Sequence, residues 1–196
     1  MKIRLLSWNV RGAYNSDERK VTKALIKKNK VDLVCLQETK IQEMSRGLVR
    51  SLGVGRFLEW GVVDSRGAAR GIVVFYDNRV LELVDLEKGV FSISCHFKNC
   101  EDGFIWIFIG VYGPTLRRDR EFFWGELGAI KGFLNGPWCV AGNFNSILSP
   151  EERNREESLN LDMRRFSKII EDLELKDLPL LGGPFTYSGG VNNQSL

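Results

Sequence analysis

Several strand-like stretches of this chain are apolar on consecutive positions, and that restricts the fold more than any other feature. The stretches run from Ile3 to Val10, Val31 to Gln37, Gly71 to Tyr76, Phe104 to Tyr112 and Trp138 to Ala141, and they are rich in β-branched and aromatic residues. A strand alternates its side chains across the pleat, so one that is apolar on successive residues needs cover on both faces of its sheet. One further segment reads differently. Phe91, Ile93, Cys95 and Phe97 alternate with Ser92, Ser94, His96 and Lys98, the period of a strand with one wet face, and Val80 to Leu86 is its natural hairpin partner.

Helices are predicted between these strands. Asn15, Ser16 and Asp17 supply capping side chains ahead of Val21, Ala24 and Leu25; Phe123, Leu127, Ile130 and Leu134 recur at helical spacing; Met163, Phe166, Ile170 and Leu173 do the same. With 196 residues, of which 43% are hydrophobic and 11% aromatic, there is apolar surface for a real core. No internal repeat, low-complexity tract or linker interrupts the pattern, so one domain over residues 1–196 is the economical reading.

Charge excludes little: a net +3 falls far short of a basic signature that would itself declare a nucleic-acid binder. The first residues hold no signal-peptide core, and no apolar stretch approaches membrane-spanning length. Cys35 and Cys139 lie inside apolar runs, and Cys95 and Cys100 lack the partner pair of a zinc site. All four read as reduced thiols of an intracellular protein without a membrane partner.

Three of the apolar runs deliver the chain to a polar side chain just before a charge, Gly or Pro breaks the strand: Asn9, Glu38 and Tyr112. A fourth delivers Asn143 and Asn145 after Gly142. Strand ends of layered α/β sheets gather side chains from distant sequence positions, so these residues are candidates for one pocket. A single carboxylate among amide and hydroxyl groups suits a hard cation that keeps most of its waters, which is the habit of magnesium rather than zinc. Each residue also has a duller reading: Asn9 and Asn145 as turn formers, Glu38 as a solvated strand end, Tyr112 as a core phenol.

Taken together, Leu6-Ser7-Trp8-Asn9-Val10-Arg11-Gly12, Leu36-Gln37-Glu38-Thr39-Lys40, Val111-Tyr112-Gly113-Pro114 and Gly142-Asn143-Phe144-Asn145 resemble the endonuclease/exonuclease/phosphatase superfamily in order and spacing. The stretch from Met163 through Asp177-Leu178-Pro179 to Gly182-Gly183-Pro184-Phe185-Thr186-Tyr187-Ser188 looks like the version carried by plant LINE-type retrotransposons. The resemblance implies a four-layer α/β/β/α sandwich, two mixed sheets face to face with helices outside, and phosphodiester hydrolysis dependent on Mg2+, with Mn2+ as a substitute, at the sheet tops. By the same resemblance Glu38 binds the metal, Asn9 helps to hold metal and phosphate, Tyr112 supports the scissile phosphate, and Asn145 orients the attacking water or a phosphate oxygen. Thr186 lies in a segment near the nucleic-acid groove. DNA is the implied partner, a downstream reverse transcriptase domain the implied neighbour in a longer parent, and the nucleus the implied location.

Two departures from the pattern stand out. The superfamily has an aspartate where this chain has Asn143, and an amide cannot take a proton near neutral pH. The superfamily also carries a late Asp-His pair, which this sequence lacks, so the sheets are expected to be incomplete at the C-terminal end and the chain inactive as written. His96, the one histidine, alternates with Ser94 and Lys98 far from the strand-end motifs and reads as a surface side chain. Arg117, Arg118 and Arg120 follow directly on Tyr112-Gly113-Pro114 and are candidates for gripping a nucleic-acid backbone or, equally, for a solvated loop ahead of a helix. Lys27, Lys28 and Lys30 read as a solvated helix face, and Arg164 and Arg165 as either. Three functions remain open at this stage: a retrotransposon-type DNA endonuclease, a non-catalytic remnant that at most binds nucleic acid, and a superfamily phosphatase or RNA exonuclease.

Overall fold

The computed structural model describes residues 2–10, 16–39, 47, 51, 58–63, 71–148 and 161–178. It divides into two compact units, Met1–Asn145 and Ser146–Leu196. In the first unit the elements run β1 (Leu5–Asn9), α1 (Ser16–Asn29), β2 (Leu33–Gln37), β3 (Leu58–Val63), β4 (Ile72–Asp77), β5 (Leu81–Lys88), β6 (Ser92–Asn99), β7 (Ile105–Tyr112), a 3-10 turn (Arg117–Asp119), α2 (Arg120–Phe133) and β8 (Trp138–Asn143). In the second unit the described helix is α3 (Leu161–Asp172), whose Met163 and Phe166 are buried. No helix among the described residues is long and apolar enough to cross a membrane.

Eight strands form two mixed four-stranded sheets with orders β1-β2-β4-β3 and β5-β6-β7-β8. Each sheet holds one parallel pair, β1 with β2 and β7 with β8, and the remaining pairs are antiparallel. The runs in β2 and β4, and β7 from Ile107 on, are buried on both faces as their pattern requires, whereas β8 is half-buried throughout and Trp8 of β1, Phe104 just ahead of β7 and Ile105 at its start are exposed. Leu33, Cys35, Ile72, Val74 and Tyr76 of the first sheet pack with Leu81, Ile93, Cys95, Phe97, Phe108 and Tyr112 of the second. The opposite parity of the first sheet, Val34, Leu36, Val73 and Phe75, packs with Ile26 of α1. On the far side of the second sheet lies α2, whose Glu126 accepts a hydrogen bond from Ser92 Oγ and whose Phe123 meets Phe91, just ahead of β6, edge to face at 5.7 Å. The first unit is therefore layered helix, sheet, sheet, helix. Each fully buried Leu, Ile or Phe contributes about 1.5–3 kcal/mol, and the central layer is the larger of the two buried clusters.

Three details differ from the sequence reading. Ser92 and Ser94 are buried although they alternate with the inward residues of β6, so that face is dry at this end. Helix α2 covers it: Glu126 accepts hydrogen bonds from Ser92 Oγ (2.5 Å), Val90 N (3.0 Å) and Phe91 N (3.1 Å). Only His96, half-buried, and Lys98, exposed, keep the expected wetness. Helix α1 is rotated from the expected face, with Val21 and Ala24 exposed and Thr22 and Ile26 buried. Strand β3 was not expected, because Glu59 and Gly61 break its apolar pattern.

Candidate active site at the strand ends

Both parallel pairs end level, and each ends on polar residues. Asn9 stands beside Gln37 at the last register position of β1 and β2, and Tyr112 beside Asn143 at that of β7 and β8. Alternation fixes where these side chains go. Asn9 shares parity with Leu5, Gln37 with Leu33 and Cys35, Tyr112 with Phe108, and Asn143 with Ala141, all of which face the layer between the sheets. The apolar layer is thus capped at one end by Asn9, Gln37, Tyr112 and Asn143.

Glu38 is the next residue after β2, and strand alternation alone would aim it at the outer face. It instead adopts φ 59°, in the left-handed region, and its carboxylate Oε2 accepts a hydrogen bond from the Tyr112 hydroxyl at 3.4 Å. That contact joins the two sheets at the site. Tyr112 itself is buried, so it is a core phenol whose hydroxyl also partners the Glu38 carboxylate.

The turn after β8 is tightly held. Asn143 Oδ1 accepts from Asn145 N at 2.9 Å, an arrangement in which a side chain stands in for a backbone turn. Asn145 sits at φ 50°, and its Nδ2 donates to the Gly113 carbonyl at 2.5 Å, while Gly113 N donates to the Asn143 carbonyl at 2.6 Å. Arg120 Nη2 reaches the Asn145 carbonyl at 3.4 Å. Gly113 is required here for space: a Cβ would collide with the Phe144 carbonyl and stand 3.0 Å from the Phe123 ring. The loops after β7 and β8 are therefore stitched into one rim.

The structure brings Asn9, Glu38, Tyr112, Asn143 and Asn145 to one end of the sandwich. Arg117 and Arg118 are exposed and Arg120 half-buried on the loop that follows. Thr186 lies outside the described residues, as does the whole segment Gly182 to Ser188. His96 is four register positions along β6 from Ser92, which pairs near the site end, so it stands about 13 Å away at strand spacing. Sequence reasoning passed over Gln37, which is buried and whose Nε2 donates to Ser7 Oγ (3.0 Å), the Cys35 carbonyl (2.9 Å) and Cys35 Sγ (3.1 Å). It ties β1 to β2 just below Asn9. Its parity with Leu33 and Cys35 was the available signal.

A family model described as the endonuclease/exonuclease/phosphatase family matches residues 6–195. The chain belongs to that family. Among solved structures of similar fold is the endonuclease domain of TRAS1, a telomere-specific non-LTR retrotransposon, with TM-score 0.65, 10% identity, 87% of this chain covered and 72% of that one. The AP endonuclease LMAP from Leishmania major aligns with TM-score 0.63 and 15% identity over 87% of this chain and 66% of its own. A mannosyl-6-phosphatase, Bt3783, from Bacteroides thetaiotaomicron VPI-5482 aligns with TM-score 0.57 and 15% identity over 74% and 66%. This family member spans 66% and 62% of the lengths of that phosphatase and of a second Bacteroides thetaiotaomicron family protein. At such identities the likeness is one of fold.

The donor set can be tested against the divalent metal that the family implies. Among the described residues no three His, Cys, Asp or Glu side chains gather into a cage. One carboxylate, Glu38, next in the chain to Gln37, which pairs with Asn9, is a donor set compatible with a hard divalent cation that keeps several waters and takes phosphate oxygens into its shell.

Proposed function

We propose that this chain is a divalent-metal phosphodiesterase that acts on DNA, of the retrotransposon type, with hydrolysis held low by Asn143 and by the lack of the family's late Asp-His pair. The observation that carries the reading is the meeting of Asn9, Glu38, Tyr112 and Asn143 on one polar cap built from the ends of two parallel strand pairs. Glu38 and Asn9 hold Mg2+ or Mn2+, which when bound offsets the charge that develops on a phosphate under attack. Tyr112 holds the Glu38 carboxylate in place, and Arg117, Arg118 and Arg120 grip the backbone of the strand. The similarity of fold to an endonuclease of a non-LTR retrotransposon and the motifs shared with plant LINE-type sequences support DNA as the substrate. A reverse transcriptase in the same parent protein, and a nuclear location, follow from that reading.

Asn143 decides how fast the reaction runs. Its Oδ1 is engaged by the Asn145 backbone, and its amide nitrogen is a donor that cannot accept a proton from water. An aspartate would keep the turn and add a proton acceptor, and general-base catalysis is worth about 10² to 10⁴ in rate. The test is nicking of supercoiled plasmid with Mg2+ or Mn2+ by the wild type, Asn143→Asp, the wild type extended by a tail that carries the family's Asp-His pair, and the extended Asn143→Asp protein with and without Glu38→Ala. Only the extended Asn143→Asp protein should nick well above background, and Glu38→Ala should abolish that activity. Equal rates in the extended protein with and without Asn143→Asp would remove Asn143 from the chemistry.

Asn143 also favours a second reading, in which the chain binds nucleic acid and does not cut it. Salt-dependent binding of DNA by a protein that stays inert even after Asn143→Asp is combined with a tail carrying the Asp-His pair would establish it. Hydrolysis of a sugar or inositol phosphate in preference to DNA would overturn both.

A further inference from the structure

Beside the polar cap the chain sends large side chains into solvent. Gly113 and Arg120 are both tied to the Asn143–Asn145 turn, so the residues between them form a short loop pinned at each end to the site. At about 3.3 Å per residue, no Cα of that loop lies more than about 10 Å from the nearer pinned end. On its outside Leu116 is 52% exposed and the Arg118 side chain 82%, and Arg117 is exposed as well. Phe122, two residues past Arg120 in the first turn of α2, is 73% exposed. The same helix places Phe123, Trp124 and Leu127 in the core, so Phe122 is surplus to folding.

A single exposed apolar residue needs no explanation. Here two exposed apolar side chains, Leu116 on the pinned loop and Phe122 just beyond it, flank two guanidinium groups in the chain beside the candidate site. Guanidinium groups neutralise phosphates, and an aromatic face stacks on a nucleobase. Inside a duplex the base faces are covered by their neighbours; only an unpaired base has a face to give.

We propose that Leu116, Arg117, Arg118 and Phe122 form a surface that holds a polynucleotide strand with at least one unpaired base next to the phosphate at the site, the base stacking on Phe122. This rests on the nucleic-acid reading above and narrows it: the strand on this side of the site is single or frayed.

Fluorescence anisotropy tests it with a short labelled single strand, the same strand made wholly abasic, and a blunt duplex, at several salt concentrations. The wild type should bind the base-bearing strand about 5- to 100-fold tighter than the abasic one. Phe122→Ala should abolish that preference and Phe122→Trp should keep it. Arg117→Ala with Arg118→Ala should weaken both strands alike and flatten the slope of log affinity against log salt by about 1 to 2, with the preference for bases intact. Strands that bind with that arginine-dependent slope but without a preference for bases, or a preference that survives Phe122→Ala, overturn the stacking surface alone. Failure of every strand to bind at low salt overturns the nucleic-acid reading with it.

Discussion

At φ 59° Glu38 occupies backbone space that costs a non-glycine residue about 1–2 kcal/mol, and it does so to bring a carboxylate back over the layer between the sheets. Strain of this kind persists where the surroundings impose it and is most common at functional sites. Glycine would relieve it, at some entropic cost in the unfolded chain. Glu38→Gly should therefore cost less than about 1 kcal/mol in a urea melt while magnesium binding, followed by calorimetry with a nucleotide present, disappears. A larger loss of stability would mean that Glu38 is held there for folding rather than chemistry. Tyr112 is the partner that fixes the carboxylate. At 3.4 Å the hydrogen bond is long, so Tyr112→Phe should weaken magnesium binding by about 2- to 10-fold rather than abolish it. Unchanged affinity would return Tyr112 to the role of a core phenol.

Among the elements, β2, β4 and β7 were legible from long apolar runs and β1 from a shorter one that Ser7 interrupts, whereas β3 was missed because Glu59 and Gly61 break its pattern. The polar ends Asn9, Glu38, Tyr112, Asn143 and Asn145 were legible as strand terminators. Gln37 was legible in principle, since a polar residue two positions past Cys35 and four past Leu33 must face the same layer. What could not be read was the stitching of loops: that Gly113 bonds the turn thirty residues on depends on two strands ending level, which no local pattern states. The wetness of β6 failed for a similar reason, because Ser92 is satisfied by Glu126, 34 residues away on α2. That clamp also bears on the site, since Glu126 holds Phe91 N while the Phe91 carbonyl accepts from Tyr112 N at 2.9 Å. Glu126→Ala leaves a buried hydroxyl and a half-buried amide without their acceptor and should cost about 2 kcal/mol or more. Chemical denaturation would check it, and a cost within about 0.5 kcal/mol, the scatter of neutral surface changes, would show that water replaces the carboxylate.

Across the whole of the first unit, the layer between the sheets is the larger of the two buried apolar clusters, and it holds two thiols, Cys35 and Cys95. Burial pushes the Cys35 thiol up to about 12, against a small opposing effect of the Gln37 hydrogen bond, and burial followed by the nearby Cys35 pushes Cys95 up as well. Tyr76 in the same layer is raised to about 12, again chiefly by burial. All three groups are neutral when protonated, so the folded layer keeps protons that the unfolded chain gives up from an ordinary thiol value of 9.0. Above that pH the unfolded state binds fewer protons than the folded one, and stability falls as pH rises. The contribution is fully present below about pH 9 and is lost progressively towards about 12. Urea melts at about pH 8 and about pH 10.5 should show the lower midpoint at the higher pH. Cys35→Val with Cys95→Val, which removes both thiols at similar volume, should narrow that difference while a thiol reagent still labels the exposed Cys100 in the folded protein. Equal midpoints at the two pH values in the wild type would mean that the thiols ionise within the fold, and so that water enters the layer on which the four strand-end residues are seated.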